Sequence, residues 1–385
     1  MTDGEYDSQK EEYKNTVARK ISIIIGCLVL MVIVTLISAS IGTDTEFTKT
    51  AQVIWDHLAG NTYPVRTQEW WDDYYIFNNI LPGVVMAAIA GAGLALAGTV
   101  MQSIMENPLA DAYTTGISSG ACLGAVTAII MGFAYSTAAS GAGIVVNAFI
   151  GSLIPAVIII FMVRWIGNSP ATIILVGTAL TFFFNSMVTF VMITASAESL
   201  QDAYVWQVGS VTGASWGQIP LMLVLTVLSA VLVQVSSRKL NIISLGENSA
   251  KSLGLDVARF RMLCIVLTSV LIASIISFTG VIGFIGLVAP HIVRYLIGGD
   301  NRFVVPGSIL MGATILVLAD MFSRLLQDFG NVPLGVVMSF VGAPIFLYLI
   351  VRKKSQKDVF RWRGKRIITG SSAANGCSSG YSAWS

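Results

Sequence analysis

The side chains able to do bond chemistry are few and scattered. Cys27, Cys122, Cys264 and Cys377 form no CxxC, and His57 and His291 stand far apart, so neither a disulfide framework nor a metal site is supported. A phosphate-cradling loop needs G-x-x-x-x-G-K-[ST]. The nearest stretch, Gly246 to Ser252, has Ala250 where the second glycine must stand. An ion-coupled transporter would need carboxylates inside its apolar segments, where a charge is costly and conspicuous. The clearest such group, Asp320, precedes Arg324 by one helical turn, which predicts a local pair near the outer end of their helix. The chain therefore reads as one that moves a solute without bond chemistry of its own, on energy supplied elsewhere. An ion-coupled secondary transporter is the alternative.

Other spacings suggest where that energy would enter. Ser244-Leu-Gly-Glu247 matches a capping box, and Gly254 supplies a helix stop. The helix between them would have nine or ten residues, about 14 Å, too short to span a bilayer. Leu245, Ala250 and Leu253 are its nonpolar residues; Glu247, Asn248 and Lys251 are polar. Such a helix is either a surface connector or a lever that inserts into a groove on a cytoplasmic motor subunit. The run Asn107-Pro-Leu-Ala-Asp111 is a polar break between two apolar stretches. Asn107 is a good N-cap and Pro108 a good first helical residue, so the next helix is expected to start there. It is a well-made turn or, with Leu109, part of the inner mouth of a pathway. Gly116, Gly120 and Gly124 form GxxxGxxxG, and Gly91, Gly93 and Gly98 precede them. Small residues let helix backbones approach closely, in ordinary bundle packing or at a dimer face.

The elements that must position these groups belong to a bilayer. Apolar residues make up 55% and charged residues 11% of 385 positions, against about 25% charged in a soluble domain. Apolar runs predict about ten transmembrane helices, at 20–41, 81–105, 112–133, 143–163, 171–194, 216–236, 261–279, 281–297, 304–325 and 333–351. The fold class is an all-α polytopic membrane protein with both termini inside and short cytoplasmic coupling helices. With that orientation, 20 of the 23 lysines and arginines fall on inner segments, leaving only Lys49, Arg66 and Arg324 outside. Residues 1–19 form a cytoplasmic segment, 20–352 the transmembrane domain, with a coupling loop at about 237–260, and 353–385 a basic tail. The small polar end of that tail reads as disordered or as a cloning remnant. The longest outer connection, 42–80, holds Thr50 to Leu58, a possible short helix, then Glu69, Trp70, Trp71, Asp72, Asp73, Tyr74 and Tyr75. It is either an aromatic belt at the headgroups or a docking surface for an extracytoplasmic protein.

Taken together, these motifs resemble the permease subunits of iron–siderophore, haem and cobalamin ABC importers, the FecCD-like family. The resemblance runs in order from about residue 20 to 352. It includes Leu81-Pro82, Asn107-Pro-Leu-Ala-Asp111, Gly116-Ile-Ser-Ser-Gly120, Trp206-Gln-Val-Gly-Ser210, Leu245-Gly-Glu247, Gly283 to Arg294, Leu318-Ala-Asp320 and Pro333 to Val337.

It implies a cytoplasmic-membrane subunit that pairs with a second permease copy and binds no cofactor or nucleic acid itself. Two cytoplasmic ATPases, carrying ATP and Mg, would bind around Ser244, Leu245, Gly246, Glu247, Ala250, Leu253 and Gly254. An extracytoplasmic binding protein would deliver a metal chelate. The resemblance further implies an inner gate at Asn107, Leu109 and Thr172, and a pathway lined by Phe182, Phe183, Asn185 and Ser186. The family's usual arginine after Leu-Pro is missing at Gly83. Docking is therefore expected at Arg66 and Arg324, or at Asp72 and Asp73.

Overall fold

A computed structural model describes residues 3–41, 47–61, 63–132, 141–326, 330, 332–348 and 351. In chain order the helices are α1 (Asp3–Ser40), α2 (Phe47–Leu58), α3 (Gln68–Tyr75), α4 (Leu81–Ile104), α5 (Ile117–Met131), α6 (Gly141–Ile166), α7 (Pro170–Ile193) and α8 (Ala197–Val208). They continue as α9 (Ile219–Val235), α10 (Ser237–Ile243), α11 (Glu247–Ser252), α12 (Val257–Thr279), α13 (Ile285–Ile297), α14 (Asn301–Leu325) and α15 (Leu334–Tyr348). The chain divides into a unit of residues 1–340 and a unit of residues 341–385. The tail expected at 353–385 lies outside the described residues.

Six of these helical stretches are long and apolar enough to cross a membrane, or seven if α9 and α10, bent by 60°, make one span. The shorter apolar helices α5, α13 and α15 fall in the three remaining apolar runs of the ten expected to cross. Two of the short ones have a visible cause. Before α5 the chain spends residues 105–116 on a turn and one 3-10 turn, Ala112–Thr115, so the helix begins at Ile117 rather than near 112. Before α13, the chain breaks at 280–284, where Gly280 has φ +67 and Phe284 φ +68. A side chain at positive φ is strained, and such strain persists only where its surroundings enforce it.

The core is built around α4, whose residues are buried almost end to end. A helix apolar all round needs neighbours on every side. Glycine makes that possible. A Cβ on Gly98 would lie 2.0 Å from the Gly286 carbonyl oxygen of α13, and one on Gly91 would lie 2.3 Å from the Gly312 oxygen of α14. Gly120 and Gly124 likewise meet the α6 backbone at Gly151 and Asn147, so two glycines of the GxxxGxxxG run pack inside the subunit. By contrast α1 leaves Ile25, Val29, Ile33 and Leu36 exposed, the face of a peripheral helix in lipid.

Polar ties at the helix ends sort the loops into two groups. At one end Arg294 donates to Ser103 (3.1 Å) and to Asn301 (3.2 Å), while Asn241 donates to Asp300 (2.7 Å). At the other, Arg324 pairs with Asp320 (2.8 Å) and donates to the Ser38 carbonyl (2.8 Å). Trp216 donates to the Phe77 carbonyl (2.7 Å) at a second junction. Each tie joins segments that the distribution of basic residues assigns to the same side of the bilayer.

Candidate functional site

The loop between α9 and α12 is folded tightly at the basic-rich end. After α9 the chain bends at Ser236, forms α10, and reaches Gly246 at φ +101, a conformation open to glycine. The helix that follows, α11, has only six residues, shorter than its sequence suggests. Its start also corrects the capping-box reading. The Ser244 hydroxyl donates back to the Leu240 carbonyl (2.7 Å), and no side chain caps α11. Glu247 is occupied instead by Lys251 (2.8 Å) and Arg261 (3.3 Å). The Lys251 ammonium holds the Glu247 carboxyl below the ordinary carboxylate range, with partial burial opposing and Arg261 reinforcing.

Gly254 ends α11 as its spacing suggests. Leu255 N–H donates to the Ala250 carbonyl (3.1 Å) and Gly254 N–H to the Lys251 carbonyl (3.0 Å), the paired bonds of a Schellman motif. Ala250 is fully buried and pins the helix, while Leu245 (65% exposed) and Leu253 (62%) stand open at either end.

The turn at Asn107 corrects a second expectation. Asn107 does not cap a helix: its side-chain oxygen accepts from Leu109 N–H (3.0 Å), closing an Asx turn that leaves Leu109 47% exposed. The first α-helical cap after it is Gly116, nine residues too late for Pro108 to be a first-turn residue. The far end of the turn is held to α13. The Asp111 carboxylate packs on Gly286, 2.7 Å from where a Cβ would stand, and the Tyr113 hydroxyl bonds both the N–H and the carbonyl of Ile282 at the helix break.

At the start of α7, Ser169 is the N-cap. It accepts from Thr172 N–H (3.1 Å) and shares a bond with the Thr172 hydroxyl (2.8 Å). Phe182, Phe183, Asn185 and Ser186 are all exposed on α7, around a buried Phe184.

One residue joins these pieces, and it was read in the sequence only as a charge at the foot of an apolar run. Arg261, fully buried, donates from Nε to the Ile104 carbonyl (3.0 Å), and from Nη1 to the Asn168 carbonyl and to Glu247. Its Nη2 lies 3.7 Å from Glu106. The end of α4, the loop before α7, the start of α11 and α12 thus meet on one guanidinium. Its planar fork of five donors allows a single side chain to serve so many acceptors. A single arginine at a predicted helix end with carboxylates at Glu106 and Glu247 was the available signal, but sequence gives no direction to a side chain.

At the opposite end Asp72 pairs with Lys49 (2.9 Å) and accepts from Gln68 (3.2 Å), and Asp73 meets His57 (2.7 Å), whose ring stacks on Phe77. Arg324 is largely buried in its tie between α1 and α14. Of the groups expected to dock a partner, Arg66 is the exposed one, at φ +72; Trp55, Trp71, Tyr74 and Tyr75 of the same connection are exposed as well.

The model of the FecCD transport family matches residues 27–352. The chain belongs to that family. Among its relatives, the hemin transport system permease HmuU of Yersinia pestis is 34% identical over 332 residues, 86% of this chain and 96% of that one. The vitamin B12 import permease BtuC of Vibrio cholerae is 36% identical over 272 residues, 71% and 81% of the two chains. A solved metal-chelate type ABC transporter in an inward-facing conformation matches with a TM-score of 0.75 at 29% identity, covering 86% of this chain and 99% of that one. This FecCD-family chain is the permease subunit of an ABC importer, a multi-pass protein of a prokaryotic cytoplasmic membrane.

Proposed function

We propose that this FecCD-family permease passes a metal chelate, namely a ferric siderophore, haem or a corrinoid, through a pathway formed with a second copy of itself. Two ATPase subunits holding ATP and Mg dock on residues 244–254, and a binding protein delivers the chelate on the outer side. Asn107, Leu109 and the α7 start at Thr172 form the inner gate. Phe182, Phe183, Asn185 and Ser186 supply pathway wall, in keeping with their exposure on α7.

The observation that carries this reading is the build of α11. A six-residue helix anchored by buried Ala250 presents Leu245 and Leu253 to the cytoplasmic side. Exposed leucines at both ends of a fixed element suit insertion into an apolar groove. Replacing Leu253 by Asp puts a charge where that groove would close. Loss of about 2 kcal/mol or more at such an anchor lowers affinity some thirtyfold. ATPase subunits should then fail to co-purify with Leu253→Asp permease that remains monodisperse. Co-purification and ATP-driven uptake at parental levels would refute the assignment. The absorption spectrum of ligand retained by the cognate binding protein distinguishes haem, corrinoid and ferric chelates.

A further inference from the structure

We infer that Arg261 and Glu106 form a relay that carries movement of the coupling loop to both sides of the inner gate. The proposal rests on the reading of 244–254 as the ATPase contact and of Asn107–Leu109 as a gate. It adds the positioning residues that connect them.

The first argument is backbone strain at Glu106. Helix α4 ends in the same motif that ends α11. Asn107 N–H donates to the Gln102 carbonyl (3.2 Å) and Glu106 N–H to the Ser103 carbonyl (3.4 Å). In α11 the left-handed position of this motif is Gly254; in α4 it is Glu106, at φ +52. A non-glycine residue there costs about 1 kcal/mol that glycine would avoid. What glycine cannot supply is the carboxylate. That carboxylate stands between Arg261 and the coupling loop: Oε1 is 3.7 Å from Arg261 Nη2, and Oε2 is 3.9 Å from where a Cβ on Gly246 would be.

The second argument is the incomplete pairing of the guanidinium. Arg261 is fully buried, yet Nη2 has no hydrogen bond, because 3.7 Å is close enough for an ion pair and too long for a bond. A buried donor left unmade is costly, and a shift of Glu106 by about 1 Å would complete it. Nη1 meanwhile reaches Glu247 at 3.3 Å. One guanidinium thus sits between a carboxylate on α11, whose hydrogen bond is made, and a carboxylate on the gate turn, whose hydrogen bond is not. Movement of α11 changes the hold of Glu247 and tips Arg261 toward or away from Glu106. Two outputs follow from its remaining bonds. Ile104 and Glu106 lead directly into Asn107, and Asn168 leads directly into Ser169, the cap that fixes Thr172. The Asn168 side chain is itself buried without a partner, so the loop before α7 has a second bond to gain on rearrangement.

The test uses the permease assembled with its ATPase subunits in lipid nanodiscs, carrying Leu109→Cys as a probe and Cys377→Ser to remove the tail thiol. The remaining cysteines, Cys27, Cys122 and Cys264, are buried. The rate of labelling by a bulky water-soluble maleimide is compared with and without ATP, under conditions that arrest hydrolysis. The ATP-dependent change in rate is expected to be about fivefold or more with Glu106 present, the lower end of usual coupling. In Glu106→Gln it should fall below about twofold, with ATPase co-purification unchanged. Glu106→Gly separates coupling from structure, because it relieves the strained backbone, keeps or raises the melting temperature, and should abolish the ATP response equally. An ATP response in both variants equal to that of the probe protein overturns the relay. No ATP response in the probe protein itself overturns the gate reading on which the relay stands.

Discussion

Asp300 shows how much one side chain can fix at the inner end of the bundle. It caps α14 by accepting from Arg302 N–H (3.1 Å), accepts from Asn241 (2.7 Å), and grips the Arg302 guanidinium (2.7 Å). The Arg302 bond above all, with Asn241 adding, pulls its carboxyl down to about 2 against partial burial. Since the folded value lies below the ordinary 3.8, the stabilisation is complete above about pH 4 and is lost as pH falls toward about 2. Asp300→Ala should lower the melting temperature by an amount corresponding to about 1 kcal/mol at neutral pH, the usual worth of a cap. The difference from the parent should hold down to about pH 5, as read by scanning fluorimetry across pH. A difference that vanished already at pH 6 would mean that the cap is held by something other than the charged carboxylate. Asp300 was visible in the sequence only as a polar residue between two apolar runs. Arg261 was visible only as a positive charge, because its direction depends on Ile104, Asn168 and Glu247, up to 157 residues away. The Ser244–Glu247 spacing misled for the same reason: Arg261 and Lys251 compete for the carboxylate that a capping box would need.

At the scale of elements, the sequence was most legible where one physical rule dominated. Hydrophobic length located the six helices, or seven with α9 and α10 joined, that are long enough to cross, because a bilayer demands it. It failed at α5 and α13, where non-helical chain at 105–116 and 280–284 replaces part of a span; such backbone is tolerated when buried within protein. The glycine stripes announced close packing without naming partners, and the structure supplies them. Gly98 touches the Gly286 backbone where α4 crosses α13, whereas Gly26 on α1 has nothing within 4 Å of a built Cβ. Gly98→Ala should therefore force the two helices apart, costing about 1–3 kcal/mol or more and lowering the yield of monodisperse permease. Gly26→Ala should leave yield and melting temperature unchanged. Equal behaviour of the two variants in detergent size-exclusion chromatography would show that the α4–α13 contact is more forgiving than its geometry.

For the molecule as a whole, the two ends differ in which charges remain available. At the basic-rich end Arg261 and Glu106 are incompletely paired. At the opposite end Asp72, Asp73 and Arg324 each have partners within the chain, so reversing them would first disturb the ties among α1, α2, α3 and α14. Arg66 differs. It is exposed on a left-handed turn before α3, in a connection whose Trp71 and Tyr74 are also exposed, and is one of the three lysines and arginines assigned to the outer side. A lone exposed cation acts on association more than on residence, and its influence is screened over about 10 Å at 0.1 M salt. If the binding protein meets the permease through this turn, Arg66→Glu should slow association by about tenfold at low salt. The gap should close as ionic strength rises, and dissociation should change little. Asp72→Arg should instead loosen the outer loop, lowering the melting temperature along with binding. Surface plasmon resonance of the binding protein on nanodisc-held complex, run as a salt series, separates the two. Association rates for Arg66→Glu that match the parent at every salt concentration would remove this turn from the docking surface.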